Sequence, residues 1–186
     1  MFWPKKNRMR LNWSIAVFVA VVLLPSAAQT KAASDAQPSA QAQGSGYVPA
    51  HKFDEKRDAA ADIQAAIKEA QRTGKRIILD VGGDWCSWCH VLDKFFEQHP
   101  EIAELRDKNF ITVNVFYSSE NKNEKVLSQY PKTEGIPHFF VLERDGTLLH
   151  SQGMAKLEVG GEPNPEKWKD FLTKWSPAAE NAAKSN

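Results

Sequence analysis

The sequence predicts an α/β domain in which a central mixed β-sheet carries helices on both faces. Two observations lead to this fold class. Segments with helical and with extended patterning alternate along the chain, and a hairpin signal, Arg144-Asp145-Gly146, joins the last two predicted strands. Alternation is typical of strands connected by helices, whereas a hairpin requires an antiparallel pair. The sheet is therefore expected to be mixed, with its helices on both faces.

The first predicted elements are a helix and a strand. Residues 54–73 have a helical pattern, because apolar side chains recur at three- and four-residue spacing and Gly74 then supplies a stop. The next apolar run, 76–81, is short and ends at Gly82-Gly83. The length of this run and the glycine pair favour a buried strand over a helix.

Two helices and a strand are predicted next. The first helix runs from Cys86 to about Gln98, and Pro100 ends it. Its apolar side chains are expected on one side of the helix: Val91, Leu92, Phe95 and Phe96. A second short helix covers residues 101–108. Residues 110–116 are β-branched and aromatic, which is typical of a strand.

The remaining elements complete the sheet and one of its helical layers. A short helix is predicted at 124–129, and the strands of the hairpin are 138–142 and 147–151. The last helix begins with Asn164 as its N-cap and Pro165 at its first position. Its apolar residues form a single stripe: Trp168, Phe171, Leu172 and Trp175.

Residues 1–28 have the layout of a secretory signal peptide. Basic residues without any acidic residue come first, an apolar run of about ten residues follows, and Ser26 and Ala28 suit the positions before a cleavage site. Cleavage is predicted after Ala28, with Ala33 as a second option and an uncleaved membrane anchor as the alternative. The protein is therefore expected in the periplasm, with membrane contact only through this segment if it is uncleaved.

The rest of the chain divides into a linker, one domain and a tail. Residues 29–46 are rich in Ala, Gln, Ser and Gly and are predicted to be a flexible linker. Residues 47–176 suffice for one domain with its own core, and 177–186 are predicted to be a disordered tail. Without residues 1–28 the chain keeps 20 basic and 23 acidic residues, a net charge of −3. This balance argues against a dedicated nucleic-acid-binding surface.

The two cysteines of the chain, Cys86 and Cys89, lie where a predicted strand ends and a helix begins. Two cysteines are too few for a disulfide-rich scaffold. A helix N-terminus stabilises a thiolate, which is the form that attacks disulfides. Cys86, at the start of the helix, is therefore predicted to be the nucleophile. Cys89, one turn later on the same face, is predicted to resolve the mixed disulfide.

The segment Asp84-Trp85-Cys86-Ser87-Trp88-Cys89-His90 resembles the active site of the thioredoxin superfamily. Asp80, six residues before Cys86, is similarly placed to the buried carboxylate of that family. Ile136-Pro137 resembles its cis-proline loop, and Asp145-Gly146 with Gly153 resembles its closing hairpin. The resemblance covers about residues 75–175 and is strongest to exported bacterial thioredoxin-like proteins. It implies a thioredoxin-like fold and thiol–disulfide oxidoreductase activity.

The resemblance also implies how protons move at the site. Asp80 would be a buried carboxylate that assists proton transfer to and from Cys89. Many relatives place a lysine near this acid, whereas this chain offers Asn114. Burial without a positive neighbour is expected to raise the pKa of Asp80. His90 would tune the cysteine pKa if its ring turned toward the sulfurs.

Four residues are expected to contact the substrate. Ile136 and Pro137 would present backbone groups to it, and Trp85 and Trp88 would form an apolar rim, although Trp88 serves equally well as cover for the disulfide. The dipeptide Ser87-Trp88 departs from the Gly-Pro of familiar relatives, so the direction of electron flow is not inherited. Isoleucine before the proline favours the reducing direction.

Several alternatives remain open at this point. The letters CSWCH are also the attachment signature of a c-type haem, with His90 as one axial ligand and Met154, His138 or His150 as the other. The cysteines with a histidine would suit a copper carrier. A purely structural disulfide would close only a short loop and stabilise weakly. A non-catalytic module would use the same scaffold to hold a partner.

The favoured function is a periplasmic thiol–disulfide oxidoreductase that reduces or isomerises disulfides. It needs no cofactor and no metal. Its expected partners are disulfide-containing exported proteins and a membrane thiol electron donor or acceptor, since the periplasm is kept oxidising. The polar run 118–125 is expected to be a solvated loop rather than a partner-binding segment.

Overall fold

The computed structural model describes residues 52–177. The predicted signal peptide, the linker and all but the first residue of the predicted tail lie outside these residues. Within residues 52–177, no helix is both long enough and apolar enough to cross a membrane.

A four-stranded mixed sheet forms the centre of the domain. In chain order the elements are α1 (Ala59–Thr73), β1 (Arg76–Gly82), α2 (Ser87–Gln98), α3 (Pro100–Asn109), β2 (Phe110–Phe116), α4 (Glu124–Leu127), β3 (His138–Leu142), β4 (Leu148–Gly153), a 3-10 turn (Met154–Lys156), β5 (Glu158–Val159), β6 (Glu162–Pro163) and α5 (Pro165–Lys174). The strand order is β2-β1-β3-β4. Strand β1 is parallel to β2 and antiparallel to β3, and β4 is antiparallel to β3. The predicted fold class is confirmed.

The two faces of the sheet bury separate clusters of side chains. Successive residues of β1 point to opposite faces, so Ile77 and Leu79 join the cluster under α1 whereas Ile78 joins the other. Helices α2, α3 and α5 cover that second face with buried residues: Leu92, Phe95, Ile102, Trp168, Phe171 and Leu172. This layering places α2 and its N-terminus on the face to which Ile78 points.

Helix α1 begins later than its sequence pattern predicts. The predicted start at residue 54 is wrong, because residues 54–57 form a turn in which Arg57 N–H donates to the Asp54 carbonyl at 3.2 Å. Asp58 is the N-cap instead, and its carboxylate accepts hydrogen bonds from the N–H groups of Ala60 and Ala61. Residues 52–58 therefore form a separate segment in front of the helix.

Two details of the helices and strands differ from expectation. Val91 was expected on the apolar side of α2, but its side chain is 40% exposed while Leu92 is buried. The small hairpin of β5 and β6 was not predicted, because strands of two residues are too short to show alternating polarity. Its turn is Gly160-Gly161, and both glycines have positive φ.

Candidate active site

The site lies where β1 ends and α2 begins. Cys86 is the N-cap of α2, with an extended backbone, and its sulfur accepts the N–H of Cys89 at 3.1 Å. The unpaired N–H groups at a helix start carry partial positive charge, which stabilises a thiolate at this position. The structure therefore places Cys86 where a nucleophilic sulfur gains most from the helix.

Cys86 and Cys89 form a disulfide, and their Cα atoms are 5.2 Å apart. Each cysteine is only 4% exposed. With Phe53 they form a small buried cluster of their own, distinct from the cores on the two faces of the sheet. Three half-buried side chains pack against this cluster: Trp88, Phe116 and Ile136. The disulfide is thus enclosed by apolar groups, and Trp88 is part of its cover.

Sequence reasoning missed Phe53. This aromatic residue precedes α1 in a polar stretch and is only 9% exposed. A Cβ added at Gly82 would lie 2.6 Å from Phe53 Cζ and 2.7 Å from Cys89 Sγ. Both groups therefore occupy the space that a side chain at residue 82 would need. A lone aromatic among charged residues was the available signal, although it does not reveal what the ring contacts.

Asp80 shares a face of β1 with Gly82, because the two are separated by one residue. Cys89 Sγ lies over Gly82. Asp80 is two residues earlier on the same strand, which is roughly 7 Å along the strand. Asp80 Oδ1 is fully buried and has no hydrogen-bond partner among residues 52–177. The acid therefore lies on the face of β1 that α2 covers, on the side of Cys89.

Burial raises the pKa of Asp80 to about 7, and the charge of Asp93 adds to the increase. The positive charge of Arg106 opposes it without cancelling it. The expectation that Asp80 has no positive neighbour therefore needs correction, although the raised pKa agrees with the prediction. The pKa of Asp93 is itself raised, mainly by burial, against the lowering effect of His90. An acid with a pKa near 7 can both accept and donate protons at neutral pH.

The peptide bond between Ile136 and Pro137 is cis. Pro137 is buried, and Ile136 packs against the cluster that holds the disulfide. The next residue, His138, is almost fully buried. Its Nδ1 accepts the N–H of Glu134 at 3.3 Å, and its Nε2 lies 2.8 Å from Ser151 Oγ. The structure brings this proline loop next to the cysteine pair and links the loop to β4.

Trp85 and His90 flank the cysteine pair in the sequence, and both are exposed. Trp85 is 57% exposed, and its indole N–H donates to the carbonyl of Tyr117 at 2.7 Å. His90 Nε2 lies 2.7 Å from the Asp84 carbonyl oxygen. The imidazole is thus held by the loop before α2 rather than turned toward the sulfurs.

Residues of the polar run 118–125 hydrogen-bond to each other and to neighbouring segments. Ser118 Oγ accepts the N–H of Asn121, and the Asn123 side chain donates to the Phe116 carbonyl at 2.8 Å. The Asn121 amide group lies 3.5 Å from the Glu55 carbonyl oxygen. The run therefore contacts the segment that carries Phe53.

Among residues 52–177, no group of three or more His, Cys, Asp or Glu side chains is arranged to hold a metal ion. The other residues considered as haem ligands have different partners. Met154 is buried in the core under α5, and His150 stacks on Trp175 with ring centroids 4.4 Å apart. His138 has hydrogen-bond partners at both ring nitrogens.

Comparisons with known proteins find a thioredoxin-like family model and relatives that include proteins of disulfide exchange. Residues 58–143 match the sequence model of a family described as thioredoxin-like. The thiol:disulfide interchange protein DsbD of Pseudomonas fluorescens is 28% identical over 121 residues, which are 64% of this chain and 19% of that protein. Spermatogenesis-associated protein 20 of Mus musculus is 40% identical over 67 residues, 36% of this chain and 8% of that protein. The chain thus spans a fifth or less of these curated relatives.

A solved structure aligns over more of its own length. It is a disulphide isomerase from Xylella fastidiosa Temecula1, with a TM-score of 0.57 and 27% sequence identity. The alignment covers 66% of this chain and 94% of that one.

Proposed function

Because the chain carries a thioredoxin-like domain, we propose that it is a thiol–disulfide oxidoreductase whose redox pair is Cys86 and Cys89. One observation carries the proposal: the two cysteines form a disulfide at the N-terminus of α2, and a buried acid with a pKa of about 7 lies on the strand beneath. The pair can therefore exist in a disulfide form, and the surroundings supply both thiolate stabilisation and a proton acceptor.

In the reducing direction the reaction consists of two displacements. The Cys86 thiolate attacks one sulfur of a substrate disulfide, a mixed disulfide forms, and the first substrate sulfur leaves as a thiolate that takes a proton from water. Cys89, after losing its proton, attacks Cys86 and releases the second substrate thiolate. The substrate gains two electrons, and the pair ends as the Cys86–Cys89 disulfide. A dithiol donor then returns the pair to its reduced form.

Asp80 is proposed as the acceptor of the Cys89 proton. Its buried Oδ1 has no hydrogen-bond partner among residues 52–177, so it is free to bind a proton. A pKa of about 7 leaves much of the acid ionised at neutral pH, and the same acid can return the proton when the reaction runs backwards.

The substrate is proposed to bind between the proline loop and Trp85. Ile136 packs against the disulfide cluster, and its backbone precedes the cis bond to Pro137. Trp85, the residue before Cys86, offers an exposed aromatic surface. A polypeptide placed between them would present its disulfide to Cys86.

The proposed location is the periplasm, and the proposed direction is reduction. The signal-like residues 1–28 support export. The isoleucine before the cis-proline supports reduction, which requires a membrane thiol donor as partner. The reduction potential of the Cys86/Cys89 pair tests the direction: a value near about −270 mV indicates a reductant, and one near −120 mV an oxidant. Cell fractionation tests the location.

The decisive experiment is insulin reduction with dithiothreitol as donor. Wild type should accelerate insulin precipitation, Cys86→Ser should be inactive, and Cys89→Ser should accumulate mixed disulfides that mass spectrometry detects. Ser87→Ala is the matched control, because Ser87 lies exposed between the cysteines and should keep its activity. Wild type that is inactive in every thiol-exchange assay would refute the enzyme and favour a binding module.

A further inference from the structure

Residues 52–58, here called the N-terminal strap, carry Phe53 to the inner side of the disulfide. The strap precedes α1, and Phe53 is its buried member, at 9% exposure. The ring is far from the cysteines in sequence, yet Phe53, Cys86 and Cys89 form one cluster of buried residues. The strap therefore adds a wall to the site from outside the strand–helix unit that bears the cysteines.

The strap is fastened at several points. Asp54 organises a turn by accepting the N–H of Lys56 on its side chain and that of Arg57 on its carbonyl. Arg57 forms two hydrogen bonds with Asp62 of α1. The Glu55 carbonyl faces the Asn121 amide group. These contacts fix the backbone that follows Phe53.

The glycine at the end of β1 provides the space that the ring fills. Gly82 pairs with Phe116 in β2 and has no side chain on the face toward α2. A Cβ at this position would lie 2.6 Å from Phe53 Cζ and 2.7 Å from Cys89 Sγ. The ring and the resolving sulfur are therefore neighbours over Gly82.

Building on the proposed function, we propose that Phe53 is a positioning residue that shields the Cys89 sulfur, so that substrates and other thiol reagents react at Cys86. Both cysteines are equally buried in the disulfide form, so exposure alone does not select one of them. Phe53 is in one cluster with both cysteines, but their surroundings differ. The Phe53 ring meets the Cys89 sulfur over Gly82, whereas Cys86 stands at the helix start next to the exposed Trp85. Selectivity for Cys86 keeps a substrate from forming a mixed disulfide on the resolving cysteine.

The test measures which cysteine of the reduced protein is alkylated. Full-length protein is reduced with dithiothreitol, desalted and treated with limiting iodoacetamide, whose carbon bonds to sulfur as iodide leaves. Peptide mass spectrometry then gives the ratio of Cys86 to Cys89 adducts. Phe53→Ala should lower this ratio about tenfold, because local access to Cys89 no longer requires the strap to open. Phe53→Leu, which keeps an apolar side chain, should restore most of the selectivity.

A second background removes competition between the two sulfurs. In Cys86→Ser, serine keeps a competent N-cap for α2, and Cys89 is the only thiol. Adding Phe53→Ala should accelerate Cys89 alkylation about tenfold. Ile63→Ala is the matched control, because Ile63 is buried in the other cluster, under α1. It should leave both the rate and the adduct ratio unchanged.

Either of two results overturns the proposal. One is an unchanged adduct ratio in Phe53→Ala. The other is an equal change of that ratio in Ile63→Ala, which would mean that any loss of core packing exposes Cys89. If circular dichroism shows that Phe53→Ala does not fold, Phe53→Leu and Phe53→Val replace it. The Cys86-to-Cys89 adduct ratio should then be lower in Phe53→Val than in Phe53→Leu, and equal ratios would refute the shield. Alkylation needs no substrate and no electron donor. A protein that keeps its adduct selectivity but fails to reduce insulin would therefore refute the proposed function and leave the shield standing.

Discussion

Asp80 and Asn114 lie directly opposite each other in the parallel pairing of β1 and β2. Residues paired in this way point to the same face of the sheet, so the amide of Asn114 is the neighbour of the buried acid on β2. An amide carries no charge and cannot favour the ionised carboxylate by Coulomb attraction. The raised pKa of Asp80 is thus consistent with the pairing as well as with burial.

A positive charge at residue 114 should lower the pKa of Asp80. Asn114→Lys places an ammonium group on the strand beside the carboxylate and favours its ionised form. NMR titration of the Asp80 carboxyl carbon should therefore show a midpoint clearly below the present value of about 7. Asn114→Gln is the uncharged control and should keep the midpoint. The same midpoint in both variants would mean that residue 114 does not act on Asp80 electrostatically.

Replacing Asp80 by asparagine should stabilise the fold more at high pH than at low pH. The folded pKa of about 7 lies above the ordinary value of 3.8, so Asp80 does not oppose folding below about pH 4. Between about pH 4 and pH 7 the unfolded chain releases the Asp80 proton more readily than the folded protein does, so stability falls over this range and the loss is complete above about pH 7. Asparagine does not titrate. The free energy of unfolding of Asp80→Asn, relative to wild type, should rise by a few kcal/mol between pH 4 and pH 8. Urea denaturation at the two pH values measures it, and a constant difference would contradict the raised pKa.

A side chain at Gly82 should destabilise the protein through two contacts at once. In Gly82→Ala the new Cβ would overlap Phe53 and Cys89 Sγ, so a loss of about 1–3 kcal/mol is expected in urea denaturation. Combining it with Phe53→Leu should cost less than the sum of the single losses, because leucine leaves more room over residue 82. Additive losses in this double-mutant cycle would show that ring and glycine are not coupled.

His138 should make the fold more sensitive to acid. Burial lowers its pKa, with Glu134 opposing and His150 adding to the effect. Because the folded pKa lies below the unfolded one, the stability that His138 contributes is present above about pH 6.5 and is lost as the pH falls below that value. His138→Phe lacks this titration, although it loses the hydrogen bonds to Glu134 and Ser151 at every pH. Its unfolding free energy should fall less than that of wild type between pH 7 and pH 5. Parallel pH profiles would exclude His138 as the titrating group.

Trp85 should matter for protein substrates and not for small disulfides. Its exposed ring is proposed to contact the substrate polypeptide, whereas a small aromatic disulfide needs only the Cys86 sulfur. Trp85→Ala should therefore raise the KM for insulin several-fold, because an aromatic contact contributes about 1 kcal/mol of binding free energy. The rate with 5,5′-dithiobis(2-nitrobenzoate) serves as the internal control. Equal losses with both substrates would indicate a disturbed loop instead.

The cysteine pair was predictable because its signal is local, whereas the proline and the buried acid were expected from the resemblance to the thioredoxin superfamily. A Cys-X-X-Cys pair at a strand-to-helix junction fixes its own position, and Ile136-Pro137 lies directly before an apolar strand. The alternation along β1 is enough to place Asp80 on one face. The mixed character of the sheet and its final hairpin likewise follow from the order of helices and strands and from Arg144-Asp145-Gly146.

The contacts that sequence reasoning missed depend on tertiary packing. Phe53 reaches Cys89 only because Gly82 leaves room, and neither residue reveals the other in the sequence. His138 appears as one more strand residue until the Glu134 backbone and Ser151 are placed around its ring. The start of α1 was misplaced because both Asp54 and Asp58 are suitable caps, and only the observed turn decides between them.

The family match begins at residue 58, whereas Phe53 enters the disulfide cluster from five positions earlier. A fragment cut at that boundary, or a chimera joined there, would keep both cysteines and lose the ring behind one of them. The transferable unit of this protein therefore starts at or before residue 52 and extends through α5, whose Trp168 completes the core on the α2 face. Grafting the Cys-Ser-Trp-Cys loop into another scaffold would carry over the reactive atoms without the wall that distinguishes them.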